Sequence, residues 1–298
     1  EHAPPGRPLG PQQAVPQQYI VQVVASQANE AGVRPVFSGL TRRDQEVWSD
    51  ATANTLWTAG IRPDDVVAHL ADLPAIADGW PYADGLRRLG ATVAWLGGLA
   101  PEHVLAQISA LQVTALVTTT STAVRLAEEA FTAVPPDQPR VPRLLVGGEP
   151  GLDRPDIRAR IADGWGATHV RETMGLAEVM AGMWSACSDE GGMHFNAAKY
   201  VIVELVDPAT DAHVPLSDGA RGEAVYTTFD RDATPVLRFR SGELLEVTAT
   251  RCACGRTSPR VRCLGRNAAR AAGEPETALV GVHPLPEQRN GGAARVRA

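Results

Sequence analysis

Short β-branched runs alternate with helix-forming segments between residues 64 and 150, and this alternation constrains the fold more than any other feature. The runs are "DDVVAHLA", "LGATVAWLG", "VTALVTTT" and "PRLLVGG", and helical patterns such as "PEHVLAQISALQ" separate them. Helices between strands act as crossover connections, which make neighbouring strands run parallel. The sequence therefore predicts an α/β fold with a largely parallel sheet.

The segment 41–60 carries the clearest helix signal. Thr41 is a favourable N-cap, Asp44 stands at the third helical position, and Gly60 marks the stop. Apolar residues recur roughly along one face, namely Val47, Ala51, Leu56, Trp57 and Ala59. These features together predict a helix.

The pattern changes after residue 198, where strand-like runs follow one another with turn residues between them. Such spacing is typical of antiparallel β structure. Residues 1–18 are rich in Pro and Gln and are expected to form a flexible or surface arm. We therefore divide the chain into a flexible arm and lead-in (1–34), an α/β part (35–198), a β-rich subdomain (199–266) and a tail or truncated domain start (267–298).

Composition narrows the choice of partners. The chain has 298 residues with a net charge of −6, which argues against a nucleic-acid partner held by a broad basic field. No apolar run reaches the roughly 18 residues of a membrane helix, and the N-terminus has no signal-peptide pattern. We expect a cytoplasmic protein that binds neither nucleic acid nor membrane, and that has a single lysine, Lys199, for any lysine chemistry.

Three of the four cysteines lie within residues 252–263. Cys252 and Cys254 form a tight knuckle, and Cys187 with His194 offers two more ligands across a glycine-containing turn. Three thiolates and one imidazole make a closed tetrahedral zinc site, which is structural because no position stays open for water. The alternative is a set of buried free thiols with a surface histidine. We predict structural zinc, with Cys263 as a spare thiol.

The stretch from about residue 35 to residue 266 resembles the phenylacetate-CoA ligase branch of the adenylate-forming enzymes. The likeness rests on "GLTRRDQEVWSDATANTLWTAGIRPDDVV", "LGATVAW", "GGEPGLDRPDIRARIADGWG" with "TMGLAEV", the Cys/His residues, and "GEAVYTTFDRDATPVLRFRSGELLEV" leading to "CACGRTSPRVRCLGR". It implies the large domain of such an enzyme, with the C-terminal lid missing or truncated. It also implies activation of a carboxylic acid with ATP and Mg²⁺ as an acyl-adenylate and its transfer to the thiol of CoA, and zinc on a Cys/His set has a precedent in that branch.

The resemblance also implies roles for particular residues. Glu178 would hold Mg²⁺ as the catalytic residue, and Trp80 with Tyr82 would line the acyl pocket. The nucleotide would be held by Gly147, Gly148, Glu149, Met174, Gly175, Glu243 and Arg256, with the last two residues named near the ribose. Glu149 also ends a predicted strand, where α/β sheets place ligands. The remaining histidines have no partner spacing and are interpreted as structural.

The sequence departs from the family pattern at several of these points. "NEAGVR" stands where a Ser/Thr/Gly-rich phosphate loop is expected, Met174 replaces an aromatic residue, and Ala177 replaces a hydroxyl residue. Glu243 and Asn267 each replace an aspartate. Either flexible parts are missing from this sequence, or ATP handling has been relaxed, so this polypeptide is expected to show little pyrophosphate exchange.

The leading hypothesis is an enzyme that activates or handles an aromatic or small carboxylic acid as its acyl-adenylate or thioester. The alternative is a homologue without ATP chemistry, which acts as a zinc-stabilised partner protein or uses the acyl pocket for another reaction. A homodimer and a complex with a partner enzyme both stay open.

Overall fold

The computed structural model describes residues 9, 12–26, 37–71, 78–132, 140–149, 151–188 and 191–266. The "NEAGVR" segment, Asn267, the predicted tail and most of residues 1–11 lie outside the described residues.

The predicted helix at the start of the α/β part is confirmed as α1 (Arg42–Thr58). Thr41 caps it, because its hydroxyl accepts from the Asp44 backbone N–H at 3.1 Å while the Asp44 carboxylate accepts from the Thr41 N–H at 2.9 Å. The expected apolar face is buried except at Trp57, which is 46% exposed. The Arg62 guanidinium lies over that ring, 4.0 Å from its centroid, so Trp57 faces outwards.

The parallel part of the sheet consists of β3 to β7. Its strands are β3 (Val66–His69), β4 (Thr92–Trp95), β5 (Ala115–Thr119), β6 (Arg143–Gly147) and β7 (His169–Leu176). The four predicted runs form β3 to β6, and β7 is a further parallel strand that the sequence pattern did not mark. The connecting helices are α2 (Trp80–Leu89), α3 (Pro101–Ala110), α4 (Thr120–Thr132) and α5 (Pro155–Trp165). The strand order β4-β3-β5-β6-β7 brings the carboxyl ends of all five strands to one edge.

Antiparallel pairing begins at β8 (Met180–Ala186), which returns alongside β7. The strands that follow are β9 (Met193–Phe195), β10 (Val201–Val206), β11 (His213–Val214), β12 (Arg221–Thr228), β13 (Phe239–Thr248) and β14 (Arg260–Arg266). The antiparallel part therefore begins with β8 and β9, before residue 199. The sequence pattern had placed the change from parallel to antiparallel structure at residue 199. A separate hairpin pairs β1 (Gln22–Ala25) with β2 (Phe37–Leu40).

Both parts belong to one sheet of 12 strands in the order β11-β10-β12-β13-β14-β9-β8-β7-β6-β5-β3-β4. The junction between the halves is narrow, because within the described part of the chain β14 pairs with β9 at Arg260–His194 and Val261–Met193 alone.

The parallel strands are covered on both faces, so their residues alternate between two cores. Leu145 and Val117 pack in one core with α1 and α2, whereas Leu144 and Leu116 pack in the other with α3, α4 and α5. With both faces buried, the sheet offers ligands its strand ends.

Candidate functional site at the carboxyl edge and a Cys/His cluster

The end of β6 brings the backbone close to β7. An added Cβ at Gly147 would lie 2.4 Å from the Thr173 carbonyl oxygen, and Gly148 has a φ of +75°. Both positions therefore require glycine. The Glu149 carboxylate accepts hydrogen bonds from the Ser121 backbone N–H at 2.8 Å and from its hydroxyl at 2.9 Å. Glu149 thus fixes the first turn of α4 against the end of β6.

The turn from β7 into β8 is equally tight. A Cβ at Gly175 would lie 1.6 Å from the Ala181 carbonyl oxygen, so no side chain fits there. Met174 pairs with Trp184 across the strands and packs against the core, and Ala177 is buried. Glu178 follows in the turn, at the carboxyl edge of the sheet.

Glu243 on β13 shares this region with Glu178. Burial raises the pKa of Glu243 to about 7; the Glu178 carboxylate adds to the rise, and the Arg266 guanidinium opposes it. Its Oε2 atom is buried and has no hydrogen-bond partner among the described residues. The two carboxyl groups therefore interact electrostatically, although they come from opposite halves of the sheet.

Trp80 and Tyr82 begin α2 and lie at the same edge. Tyr82 is buried, with its hydroxyl 2.7 Å from the Thr173 Oγ1 atom. Burial raises the Tyr82 pKa, so the phenol stays neutral. Trp80 is 39% exposed and its ring centroid lies 5.6 Å from that of Trp95. Tyr82 is therefore a buried support, and Trp80 is the accessible aromatic surface.

The sequence did not indicate two further aromatic residues that lie beside Trp80 at this edge. His69 and Trp95 are the last residues of β3 and β4, they are register partners, and their rings stack 4.5 Å apart. His69 is buried, and burial lowers its pKa to about 4. The available signal was their shared position at the ends of adjacent parallel strands.

The four predicted metal ligands form one group, here called the Cys/His cluster: Cys187, His194, Cys252 and Cys254. Their ligand atoms all lie within 4.8 Å of one another. The Cys187 and Cys252 sulfurs are 3.5 Å apart, and the Cys254 sulfur is 3.4 Å from the His194 Nε2 atom. The four donors thus converge on one point.

The environment of His194 suits a metal ligand. Its Nδ1 atom lies 3.1 Å from the Ser258 carbonyl oxygen, which fixes the ring and leaves Nε2 facing the sulfurs. Burial lowers the pKa of His194, which favours the neutral imidazole that binds metals. Burial also raises the pKa of Cys187 to about 11, and its neighbouring thiols add to this rise. A cation would have to displace that proton.

Cys263 lies where it was expected, as a thiol outside the Cys/His cluster, whereas Arg256 lies away from Glu243. Cys263 lies outside the Cys/His cluster, next to Glu243, and burial raises its pKa to about 12. Arg256 lies in the β13–β14 loop and its side chain hydrogen-bonds the Cys254 sulfur. Glu243 pairs with Arg266 at the other end of the same hairpin, roughly 17 Å away by strand geometry. Arg256 therefore does not join Glu243 at the expected ribose position.

The Cys/His cluster and the carboxyl edge lie at opposite ends of β8. Cys187 directly follows Ala186, the last residue of β8, whereas Glu178 precedes its first residue, Met180. Seven residues of extended strand span roughly 20 Å. A cation in the cluster would therefore stand too far from Glu178 to take part in chemistry there.

Comparisons with known proteins agree with this architecture. The sequence is 29% identical over 250 residues to phenylacetate-coenzyme A ligase of Thermus thermophilus, across 83% of this chain and 55% of that enzyme. The structure matches a 2-hydroxyisobutyryl-CoA ligase, solved in complex with 2-HIB-AMP and CoA, with a TM-score of 0.76 and 30% identity over 87% of this chain and 60% of that one. The chain belongs to the adenylate-forming acyl-CoA ligase superfamily. The predicted family and its large-domain fold are confirmed.

A more distant protein shares the fold. MatB from Rhodopseudomonas palustris matches with a TM-score of 0.59 and 17% identity, over 84% of this chain and 48% of that one. No protein-family model matches the sequence. The chain spans about half the length of the curated acyl-CoA ligases it matches. Among the described residues, no helix is both long and apolar enough to cross a membrane.

Proposed function

We propose that the protein binds a small or aromatic carboxylic acid as its acyl-adenylate at the carboxyl edge of the sheet, for transfer to the thiol of CoA. The observation that carries this proposal is the position of Glu178 in the turn after β7, at the carboxyl edge of the sheet, next to the tight glycine turn that ends the adjacent strand β6. Glu178 would serve the metal there, and Glu243, whose raised pKa the Glu178 carboxylate raises further, would serve the ribose. The relatives that share this fold include enzymes named for phenylacetate and 2-hydroxyisobutyrate.

The acyl group would lie against the exposed face of Trp80, with Trp95 and His69 behind it. Aromatic walls favour an aryl acid, because stacked or tilted rings gain contact energy beyond that of buried area. Tyr82 supports this wall through its hydrogen bond to Thr173.

The adenylate would lie at the end of β6, beside Gly147 and Gly148, as the family resemblance implies. Glu243 would accept from a ribose hydroxyl, as the family resemblance implies, and a ligand would have to reach its buried carboxylate. Glu178 would supply one carboxylate to Mg²⁺, which usually takes one or two from protein and the rest of its oxygens from phosphate and water.

The Cys/His cluster would hold a structural zinc ion. Three sulfurs and one imidazole fit the ligand preference of Zn²⁺, and the four donors fill its tetrahedral shell. The distance to Glu178 along β8 supports a structural role. Zinc would tie β9 to the β13–β14 loop.

A second candidate is a protein that handles a preformed acyl compound without ATP. Met174 and Ala177 favour it, because Met174 presents no aromatic face to an adenine ring and Ala177 has no hydroxyl for a phosphate. Carboxylate-dependent exchange of pyrophosphate with ATP separates the two candidates, since the second predicts none in any chain that contains these residues.

The direct test is calorimetric titration with phenylacetyl sulfamoyl adenosine, a stable mimic of the acyl-adenylate. We expect saturable binding that Trp80→Ala weakens about tenfold, because the ring loses its aromatic neighbour. Trp57→Ala is the matched control, since Trp57 is similarly exposed but lies on α1 and should leave affinity unchanged. Absence of saturable binding by the folded protein contradicts the acyl-adenylate proposal, and binding of phenylacetyl thioester alone supports the second candidate.

A further inference from the structure

Asp78 brings a carboxylate to the carboxyl edge of the sheet. It stands immediately before Gly79, the N-cap of α2, and two residues before Trp80. An added Cβ at Gly148 would lie 3.3 Å from the Asp78 Oδ2 atom and 3.8 Å from the Thr119 Cγ2 atom at the end of β5. The Asp78 carboxylate therefore lies against the tight turn that follows β6.

Two electrostatic effects place Asp78 beside the aromatic wall as well. Burial raises the pKa of Tyr82, and the Asp78 carboxylate adds to that rise. Burial lowers the pKa of His69 to about 4, and a hydrogen bond with the Asp78 backbone opposes that change. Such effects weaken with distance. Asp78 is therefore close both to the wall proposed for the acyl group and to the glycine turn proposed for the adenylate.

The carboxylate of Asp78 is accessible to a ligand. Asp78 is half-buried, so a molecule at this edge can reach its oxygens. An ionised carboxylate accepts hydrogen bonds and donates none, and its two oxygens together accept about four. Asp78 can therefore accept from a ligand as well as from neighbouring protein groups.

The position of Asp78 corresponds to one part of a bound acid. In an acyl-adenylate the carboxyl carbon joins the acyl part to the nucleotide part, and carbon 2 is the next atom on the acyl side. With the acyl group on Trp80 and the nucleotide beside Gly148, carbon 2 would lie near Asp78. A hydroxyl or ammonium group on carbon 2 would donate to the carboxylate. An unsubstituted carbon 2 would displace water from the carboxylate and offer no hydrogen bond in return.

We propose that Asp78 is a specificity-determining residue, which selects acids that carry a hydrogen-bond donor on carbon 2. The donor is the ammonium group of a 2-amino acid or the hydroxyl group of a 2-hydroxy acid. This role rests on the proposed acyl-adenylate site and narrows its substrate class. Sites that hydrogen-bond a polar group of the substrate discriminate strongly against an analogue without it, because the polar group of the site then loses a partner.

Three sulfamoyl adenosines that differ only at carbon 2 test this role on the unaltered protein. They carry a phenylacetyl group, a mandelyl group with a hydroxyl on carbon 2, and a phenylglycyl group with an ammonium there. Calorimetric titration with both enantiomers of the substituted ligands should show at least one of them binding about tenfold tighter than the phenylacetyl compound, or more. Tightest binding by the phenylglycyl compound assigns the site to a 2-amino acid, and tightest binding by the mandelyl compound assigns it to a 2-hydroxy acid.

The same titrations separate failure of this role from failure of the proposed function. If the phenylacetyl compound binds as tightly as both substituted compounds, or more tightly, the role of Asp78 is overturned and the acyl-adenylate site still stands. Absence of saturable binding by all three compounds overturns both.

Asp78→Ala tests whether the carboxylate causes the preference. This variant should bind the preferred ligand about tenfold more weakly than the unaltered protein and bind the phenylacetyl compound with nearly unchanged affinity. Asp84→Ala is the matched control, since Asp84 also lies on α2 but pairs with Arg87 at 2.9 Å, and it should leave all three affinities unchanged. A preference that folded Asp78→Ala retains overturns the proposal, because the carboxylate would then only stabilise the start of α2. The ligand comparison needs no variant, so it decides the matter if Asp78→Ala fails to fold.

Discussion

Replacement of Glu243 by glutamine should stabilise the protein above neutral pH and change it little in mild acid. Glu243 is buried, and this burial raises its pKa from 4.5 to about 7. A carboxyl group whose pKa is raised on folding stabilises the native state fully below its unfolded-state pKa. That contribution is lost as pH rises through the folded-state pKa, here between about 4.5 and 7.

The size of this change in the free energy of unfolding follows from the unfolded-state and folded-state pKa values of Glu243. An interval from 4.5 to about 7 corresponds to a change of about 3 kcal/mol in the free energy of unfolding. Glutamine is nearly isosteric with the protonated acid and cannot ionise. The Glu243→Gln variant should therefore exceed the wild type by up to about 3 kcal/mol at about pH 8, and match it closely at about pH 4.

Urea unfolding of both proteins at the two pH values measures this difference, and groups that titrate equally in both proteins cancel. Glu246→Gln is the control, because Glu246 lies on the same strand but forms a surface pair with Arg221. A Glu243→Gln variant that is destabilised to the same extent at both pH values would refute the reasoning, since the native state would then not be penalised by an ionised Glu243.

Further predictions concern the Cys/His cluster, the turn between β7 and β8, the Tyr82 hydrogen bond and the use of ATP. Cys254→Ser should abolish metal binding at the proposed zinc site and lower the free energy of unfolding by roughly 3 kcal/mol or more, whereas Cys263→Ser should leave metal binding intact, as metal analysis and thermal melts would show. Gly175→Ala should cost about 3 kcal/mol in urea unfolding, because the new Cβ meets the Ala181 carbonyl oxygen. Tyr82→Phe should cost about 1 kcal/mol through the lost hydrogen bond to Thr173, with equal stability of the two proteins as the contrary result. Pyrophosphate exchange by this polypeptide should stay near background, and robust exchange would show that Met174 and Ala177 do not impair ATP handling.

Much of the α/β part could be predicted from sequence because its signals are local. The capping residues Thr41 and Asp44 fixed the start of α1, and β-branched runs marked the parallel strands β3 to β6. No local sequence signal marked β8 as an antiparallel strand. All of its residues are buried, so the alternation that usually identifies an antiparallel strand is absent.

The site was predictable only where its residues lie close together along the chain or match a family motif. The Cys/His cluster was assembled correctly from its knuckle and its histidine turn. Arg256 does not lie beside Glu243 as expected. Although the two residues are only 13 positions apart, Glu243 lies at the open end of the β13–β14 hairpin and Arg256 lies in its loop. The stacking of His69 on Trp95 depends on strand register, which a single sequence does not encode locally.

The narrow junction between β9 and β14 gives the Cys/His cluster a role beyond added stability. Glu178 belongs to one side of that junction and Glu243 to the other. Among the described residues, two register pairs connect β9 to β14 there. The cluster takes Cys187 and His194 from one side and Cys252 and Cys254 from the other. A cation bound there would connect the two sides of the junction. Its loss should first disorder the relative positions of the Glu178 and Glu243 carboxylates, before the chain unfolds.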